Sequence, residues 1–397
     1  MRRFSCKISA MSPSSSRFWK KAAFQTIARA EQLLRGKHRF SAADLSQIPN
    51  FLVLQQESQL GSVVHATPLY EALKCAVPDA HITVAASPMA AAVLQRNPHI
   101  DRSVVTPNPF ADFREAARVV RALFQSQPDG PRCMVTTIGN QRTRLAMLGL
   151  FAGDAIRIGY TLAPELYDVP LCFDPERGQI EGNLDIVRRL GHDVGFYEPR
   201  VFFTQRDAER AAQHLESLGA PLSVPRVAYV TQNSGGQRNQ WSAERFQQVV
   251  SILSQQRQAV PIFLGTAGEA STIEALRRDL PDPGISLAGR TTISELAAVL
   301  AQCDLVVSLD TGTFHVARAV GLPGVVISQA WKSPLEWLPV HHPRYRVMRG
   351  PTISEAPPDY WIEEVSADQV LKAATELMAS YPADPAHRME RLQHSLR

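Results

Sequence analysis

The order of short apolar runs along the chain limits its possible folds more than any other feature. Helical patterns separate five such runs in the first half of the chain: FLVL at 51–54, HITVAA at 81–86, SVV at 103–105, CMVTTI at 133–138 and IRIGY at 156–160. A second series follows: VAYVTQ at 227–232, PIFLG at 261–265, ISLAG at 285–289, DLVVS at 304–308 and GVVIS at 324–328. Strands that alternate with helices form βαβ units. We therefore predict an α/β protein with two Rossmann-like parallel sheets.

The two series also divide the chain into segments. We predict four, with bounds at 1–48 for a basic amino-terminal extension, 49–220 and 221–350 for the Rossmann-like domains, and 351–397 for a carboxyl-terminal helix and tail. Between the two series we expect a strand at Phe202 and Phe203 and a helix over 207–218. An amphipathic helix is predicted over 365–378.

Composition restricts the class of protein. The chain has 397 residues, of which 45% are hydrophobic, and this allows two or three domains with buried cores. No run approaches the roughly 18 apolar residues that cross a bilayer, and the amino terminus lacks a secretory signal. We expect a cytoplasmic protein. The five cysteines have no CxxC spacing, so neither disulfides nor a metal site are predicted.

Charge is concentrated at the amino terminus. Residues 1–40 contain ten Lys and Arg against Glu31 alone, a local charge of +9; since the whole chain carries +4, the remainder carries −5. Apolar and basic residues alternate over 17–39, a pattern typical of peripheral contact with an anionic membrane. A helix packed on the body would show the same pattern. No recognition-helix or RNA motif accompanies the charge, so we predict no nucleic-acid binding.

The segment 304–328, DLVVSLDTGTFHVARAVGLPGVVIS, has the pattern of a strand, a polar turn, a helix and a second strand. Asp310 follows the first strand, at the edge where open α/β sheets bind ligands. Thr311, Gly312 and Thr313 open the helix, whose free amides suit a phosphate or diphosphate. In the alternative interpretation, a threonine caps the helix and Asp310 merely ends the strand.

Two further turns follow predicted strands. In QQESQLGSVVHAT at 55–67, Gly61 permits close backbone approach, Ser62 is predicted to cap the next helix, and Pro68 fits that helix's first turn. In the second domain, NSGGQRNQW at 233–241 combines two glycines with Arg238. This loop is either an anion-binding turn or a solvated loop.

These residues give the chain a resemblance to glycosyltransferase family 9, the lipopolysaccharide heptosyltransferase family, over 50–350. Four blocks match in order, at 60–84, 232–246, 287–326 and 334–337. The third block resembles the family's D-T-G-x-x-H-x-A-x-A-x-G-x-P signature through Asp310, Thr311, Gly312, His315, Ala317, Ala319, Gly321 and Pro323. The resemblance implies a GT-B architecture, in which two Rossmann-like domains have parallel sheets that face each other across a cleft.

The resemblance also implies the chemistry and the roles of residues. The expected reaction is an inverting, metal-independent transfer without a cofactor, from ADP-heptose or another nucleotide-sugar to a lipid-linked or cell-surface saccharide. By resemblance, Thr311 and Gly312 contact the donor's diphosphate, and Asp310 and His315 orient the donor. Glu269 matches a carboxylate that contacts the nucleotide's ribose, although an acidic residue at a helix start explains it equally well. The carboxyl-terminal helix is expected to return to the first domain.

The chain departs from the family pattern at two positions. Ser62 stands where the family has the aspartate taken as the base, and a serine cannot act as that base unaided. Asn239 stands where the family has a basic residue, which leaves Arg238 as the substitute cation. Glu57 and His65 are the titratable residues nearest to the missing base. A buried histidine with satisfied hydrogen bonds is the other interpretation of His65.

Three functions agree with these departures. The first is a sugar transferase with a rearranged base. The second is a nucleotide-sugar-binding or scaffold protein that kept the fold and lost catalysis, because a fold does not guarantee a function. The third is transfer to a protein side chain.

Overall fold

The fold is built on two parallel sheets, which a computed structural model describes for residues 26, 30, 45–233 and 239–397. The first sheet has the order β3-β2-β1-β4-β5-β6. Its strands are β1 (Asn50–Gln55), β2 (His81–Ala86), β3 (Arg102–Val105), β4 (Arg132–Thr136), β5 (Ile156–Tyr160) and β6 (Val169–Leu171). In the centre, Leu52 of β1 pairs with Thr83, and Val53 pairs with Val135. All six residues of β1 are buried, as expected where helices cover both faces of a parallel sheet.

The second sheet repeats this arrangement, with the order β12-β11-β10-β7-β8-β9. Its strands are β7 (Arg226–Val230), β8 (Val260–Phe263), β9 (Ile285–Ser286), β10 (Leu305–Leu309), β11 (Gly324–Ile327) and β12 (Tyr345–Met348). The central strands β7 and β10 are fully buried. In both sheets every strand pair is parallel, which confirms the predicted α/β class.

Helices cover the two sheets. Within the described ranges they are α1 (Leu60–Ala76), α2 (Pro88–Leu94), α3 (Phe113–Gln125), α4 (Thr143–Ala146), α5 (Gln179–Arg189), α6 (Gln205–Ser217), α7 (Ala243–Arg257), α8 (Ala270–Arg278), α9 (Ile293–Ala301), α10 (Gly312–Ala319), α11 (Ala367–Ser380) and α12 (Pro385–Ser395). None of the helices in this part of the chain is both long and apolar enough to span a bilayer.

The ten strands predicted from the two series are all present. Two edge strands were not predicted, and the separate strand predicted at Phe202 and Phe203 is absent. The edge strands β6 and β12 are short and only partly buried, so they lack the apolar run that identifies a buried strand. Phe203 forms an isolated bridge to Leu396 rather than a strand. The predicted strand at 285–289 contributes only two residues, and Gly289 then has a positive φ of 70°. Most of the basic segment 17–39 lies outside the described residues.

Helix α1 begins earlier than the sequence predicts. Its N-cap is Gln59, so Ser62 lies inside the first turn and Pro68 lies in the interior; both predictions for these residues were wrong. Proline has no N–H to donate to the carbonyl four residues earlier, here that of Val64. The hydroxyl of Thr67 donates to this oxygen at 2.8 Å. The neighbouring side chain thus supplies the missing hydrogen bond, which explains how the helix continues through Pro68.

The carboxyl-terminal helices belong mainly to the second unit. Helix α11 packs on α7 and on strands β10 to β12, with Val370 and Leu377 in the core of that unit. The expectation that the helix over 365–378 returns to the first domain was therefore wrong. The return is made by the end of the chain, where the guanidinium of Arg200 donates to the carbonyl of His394 at 2.5 Å.

The two units meet beside the site through the direct packing of α1 on α10, and farther away through the packing of α9 on α6. Each helix presents a glycine to the other. A Cβ atom on Gly61 would lie 2.6 Å from Cδ2 of His315, and one on Gly312 would lie 2.7 Å from Cβ of Leu60. Both distances are too short for real Cβ contacts. The close approach of the two units therefore depends on the absence of a side chain at both positions.

We predict that Gly61→Ala destabilises the protein. Overpacking costs about 1–3 kcal/mol, which outweighs the helix-propensity gain of about 1 kcal/mol from replacing glycine by alanine. Urea unfolding measures the change. Gly195→Ala is the matched control, because a Cβ there meets no atom within 4 Å, and we expect its stability to be unchanged or slightly raised. A Gly61→Ala protein as stable as the parent would contradict the described packing.

Candidate functional site

The site lies between the carboxyl edges of the two sheets. In each sheet the strand order reverses between two central strands, β1 and β4 in the first and β7 and β10 in the second. Open α/β sheets bind ligands in the crevice at such a reversal. The turns after β1 and β10 lead directly into α1 and α10. Because these two helices pack together, the two crevices face each other.

A carboxylate and two imidazoles connect the units across this contact. Nε2 of His65 on α1 lies 3.0 Å from Nδ1 of His315 on α10. Nε2 of His315 lies 3.6 Å from a carboxylate oxygen of Asp310. The ring of Trp337 covers the pair, with centroid distances of 5.3 Å to His65 and 5.9 Å to His315. The predicted residues Asp310, His315 and His65 are thus adjacent, although 250 positions separate the histidines.

The environment of His65 keeps its ring neutral. Burial holds the pKa of His65 well below its ordinary value, and electrostatic interactions with His315 and Arg318 lower this pKa further. Nδ1 of His65 is buried and has no hydrogen-bond partner among the described residues. His65 is therefore a buried histidine with a hydrogen-bond partner for Nε2, but among the described residues it has none for Nδ1.

The turn between β10 and α10 is tied to the neighbouring loop. One carboxylate oxygen of Asp310 accepts from Nε2 of Gln329 at 3.3 Å. The peptide oxygen of Asp310 accepts from the amide of Asn239 at 2.8 Å, and the side-chain oxygen of Asn239 accepts from Asn233 at 2.6 Å. Asn239 thus holds two loops together at the position where the family has a cation. The proposed substitute, Arg238, lies outside the described residues.

Thr311 does not act as a helix cap. It occupies the N-cap position of α10, but its side chain makes no capping hydrogen bond. Its hydroxyl is buried, and no described residue partners it. Because burial without a hydrogen bond is costly, such a group normally bonds to an ordered water or a ligand. The start of α10 therefore offers the free amides that follow Thr311 and one free hydroxyl at the reversal of the second sheet.

Glu57 lies at the corresponding point of the first sheet. It follows β1, and one of its carboxylate oxygens accepts from the hydroxyl of Thr137, just after β4, at 2.9 Å. The other oxygen is buried without a partner in the described part of the chain. Burial raises the pKa of Glu57, and the neighbouring polar side chains of Asn140 and Thr137 offset part of this rise. Gly139 makes room for this side chain, since a Cβ there would lie 2.5 Å from Cγ of Glu57.

Ser62 and Glu269 make hydrogen bonds that serve the local structure of a helix start rather than a reaction. The hydroxyl of Ser62 donates to the side-chain oxygen of Gln59 at 3.5 Å, in the first turn of α1. Glu269 follows β8, one strand beyond the reversal, and accepts from the backbone N–H of Thr266 at 2.6 Å in a capping box. This contact matches the interpretation of Glu269 as an acidic residue at a helix start.

Two residues of this region were not predicted. The hydroxyl of Thr231, just after β7, and Oε1 of Gln329, just after β11, are both buried, and the described residues supply no partner for either. Both follow the carboxyl end of a strand in the second sheet. A systematic search for polar residues directly after each predicted strand would have found them, because parallel strands share one carboxyl edge.

Known proteins with similar sequences are heptosyltransferases. The chain is 23% identical over 286 residues to lipooligosaccharide heptosyltransferase 2 of Haemophilus influenzae, a match that covers 68% of this chain and 80% of that protein. The enzyme of the same name from Haemophilus ducreyi is 23% identical over 288 residues, with the same coverage.

Solved structures share the fold. A family 9 glycosyl transferase from Veillonella parvula superposes with a TM-score of 0.76 at 20% identity, covering 86% of this chain and 100% of that one. The ADP-heptose lipopolysaccharide heptosyltransferase II of Escherichia coli gives 0.68 at 18% identity, covering 83% and 99%. A heptosyltransferase of Escherichia coli solved with ADP gives 0.60 at 17% identity, covering 84% and 99%. These likenesses confirm the expected GT-B fold.

The family is established by a match over more than half of the sequence. Residues 142–349 of the 397 match the sequence model of glycosyltransferase family 9 (heptosyltransferase). The matched range contains the second sheet and the turn from Asp310 to Gly312. The chain therefore belongs to glycosyltransferase family 9 and is a glycosyltransferase.

Proposed function

We propose that this glycosyltransferase moves a heptose or a related sugar from an ADP-activated donor to a lipid-linked saccharide, with inversion and without a metal. The observation that carries the proposal is the unpartnered hydroxyl of Thr311 beside the free amides of α10. A diphosphate needs donors of this kind, because charge develops on it as the sugar leaves. The donor and acceptor classes follow the names of the relatives, two of which are lipooligosaccharide heptosyltransferases.

In this proposal the donor occupies the edge of the second sheet. The hydroxyl of Thr311 and the amides after it bind the diphosphate, and the free polar atoms of Thr231 and Gln329 bind other parts of the nucleotide-sugar. Asp310 and His315 position the donor from beneath the helix start. Asn239 supports the turn through its bond to the peptide oxygen of Asp310 rather than by contributing charge.

We assign the general base to Glu57. An inverting transfer needs a group that takes the acceptor's proton, and such a group is most effective when its pKa approaches the working pH. Burial moves the pKa of Glu57 upward, in the favourable direction, whereas it moves the pKa of His65 downward and weakens that ring as a base. Ser62 has no carboxylate or imidazole within hydrogen-bond reach in the described structure to activate it. His65 is then a positioning residue that connects the units through His315.

A second candidate function has a specific observation in its favour. Because Ser62 replaces the family's aspartate, a protein that binds nucleotide-sugars without turnover would have the same sequence at this position. The two candidates predict the same donor binding and differ only in transfer. If Ser62→Asp created activity in a protein otherwise inactive with every acceptor tried, this second function would be favoured.

The first experiment is calorimetric titration of the protein with ADP, ADP-heptose and UDP-sugars, combined with an assay for nucleotide release. We expect binding of the ADP compounds, and release of ADP when a lipid-linked saccharide is added. Thr311→Val should weaken binding of ADP by about tenfold, the effect of one hydrogen bond to a charged group, without loss of stability. Failure to bind any nucleotide would contradict the donor assignment.

The assignment of Glu57 predicts a separation of turnover from binding. Glu57→Gln should lower turnover by about 10²–10⁴-fold, the usual contribution of a general base, while the affinity for the donor stays the same. Activity of the parent should fall with decreasing pH through the raised pKa of Glu57, because only the ionised carboxylate accepts a proton.

Two variants serve as controls for this prediction. Glu355→Gln changes an exposed carboxylate far along the chain and should leave turnover unchanged. His65→Gln should lower turnover without removing the acid limb of the pH profile. If Glu57→Gln retained both the parent's rate and its pH profile, Glu57 would not be the base.

A further inference from the structure

An exposed surface of aromatic, aliphatic and arginine side chains borders the site on the first unit. We call it the rim, and it consists of Phe110, Arg142, Arg144, Phe151 and Leu162. The exposed fractions of its apolar members are 37% for Phe110, 38% for Phe151 and 68% for Leu162. Both arginines are also exposed. Large apolar side chains grouped on the surface in this way mark an interaction site.

Contacts link four members of the rim, and Leu162 is joined to them through the backbone, since its N–H donates to the carbonyl of Gln141, next to Arg142, at 2.7 Å. The guanidinium of Arg142 lies 5.0 Å above the ring of Phe110. The guanidinium of Arg144 lies 5.7 Å from the ring of Phe113 and donates to the carbonyl of Phe110 at 2.9 Å. The ring of Phe113 in turn lies 6.1 Å from that of Phe151.

The positive charge of the rim is not neutralised within the protein. In the described part of the chain no carboxylate lies within 4.0 Å of Arg142 or Arg144, whereas the nearby Arg118 is paired with Glu115 at 2.7 Å. The acidic residue next in sequence to the rim, Asp112, accepts from the backbone N–H of Glu115 as the cap of α3. Two guanidinium groups therefore lie beside exposed rings with their charge available to an anion.

The rim is built on the turns that shape the site. Its members lie in the connections that follow β3, β4 and β5. These connections start at the edge of the sheet that also holds Glu57. Gln56, adjacent to Glu57, fixes two of these turns. Its backbone N–H donates to Oδ1 of Asn140 at 2.8 Å, and its side chain donates to the hydroxyl of Thr106 at 2.7 Å. Gln56 therefore connects two segments that carry the rim to the residue next to the proposed base.

We propose that the rim docks on the surface of an anionic phospholipid bilayer. The rings of Phe110 and Phe151 and the side chain of Leu162 enter the boundary between headgroups and acyl chains, and Arg142 and Arg144 pair with lipid phosphates. Charge complementarity favours this occupant, because the rim combines exposed apolar tips with unpaired cations. The proposal does not depend on the donor assignment, since bilayer binding needs no nucleotide.

Docking in this orientation has a consequence for the proposed reaction. The first unit would present the turns around Glu57 to the membrane, where a lipid-linked saccharide has its sugar portion. The acceptor would then reach the base by moving along the membrane surface. Binding to the bilayer and binding of the acceptor would use the same edge of the first sheet.

The test is sedimentation of the full chain with vesicles of phosphatidylcholine alone or mixed with about one third phosphatidylglycerol. We expect binding only to the anionic vesicles. Arg142→Glu/Arg144→Glu should weaken this binding at least about tenfold, and Phe110→Ser/Leu162→Ser should weaken it while the protein keeps its charge. All proteins retain residues 1–48, so the basic extension contributes equally to each.

Leu222→Ser/Arg257→Glu/Arg278→Glu is the matched control, because it reverses two charges, as the arginine variant does, and replaces one exposed apolar side chain. All three side chains are exposed and lie outside the rim. This control should bind as the parent does. Two results would overturn the proposal. The first is equal binding by the parent and both rim variants, which would transfer the membrane contact to another part of the chain. The second is absence of binding to anionic vesicles by the parent, which would leave the rim to a different partner.

Discussion

The packing of α1 against α10 is the contact on which the rest of the structure depends. It joins two units that each have a reversal of strand order, and it sets the two crevices face to face. The contact requires glycine on both helices, at Gly61 and Gly312. It also brings His65 to His315 and, through that ring, to Asp310. One steric requirement therefore determines both the close approach of these two helices and the geometry of the site.

The polar groups around this contact are only partly satisfied. Glu57, Thr231, Thr311 and Gln329 each keep one buried atom without a partner among the described residues, and each follows the carboxyl end of a strand. In folded proteins such atoms are usually completed by an ordered water or by a ligand, and the grouping of these four at strand ends favours a ligand. Leaving these atoms unpaired destabilises the isolated protein, but it also lets the same edges bind a nucleotide-sugar and an acceptor. The exposed rim lies next to the first of these edges.

Much of the fold was predictable from the sequence, because buried parallel strands are continuous apolar runs. The turn from Asp310 to Gly312 was predictable as part of the site, because it directly follows one of these runs. The edge strands β6 and β12 escaped prediction because they are short and partly exposed. The start of α1 was misplaced because Thr67 replaces the bond that Pro68 lacks, a compensation that no local pattern reveals. The contact of His65 with His315 could not be predicted, since it depends on how two distant units pack. The hydrogen bond from Asn239 to the carbonyl of Asp310 could not be predicted either, because it joins loops that are distant in sequence.

The most direct test of this account is a crystal structure of the protein with ADP bound. The account predicts that the diphosphate lies at the start of α10, within hydrogen-bond distance of the hydroxyl of Thr311 and the amides that follow it. It also predicts that α1 and α10 remain in contact beside the nucleotide. A nucleotide bound away from the carboxyl edge of the second sheet, with the hydroxyl of Thr311 still unpartnered, would contradict the central claim.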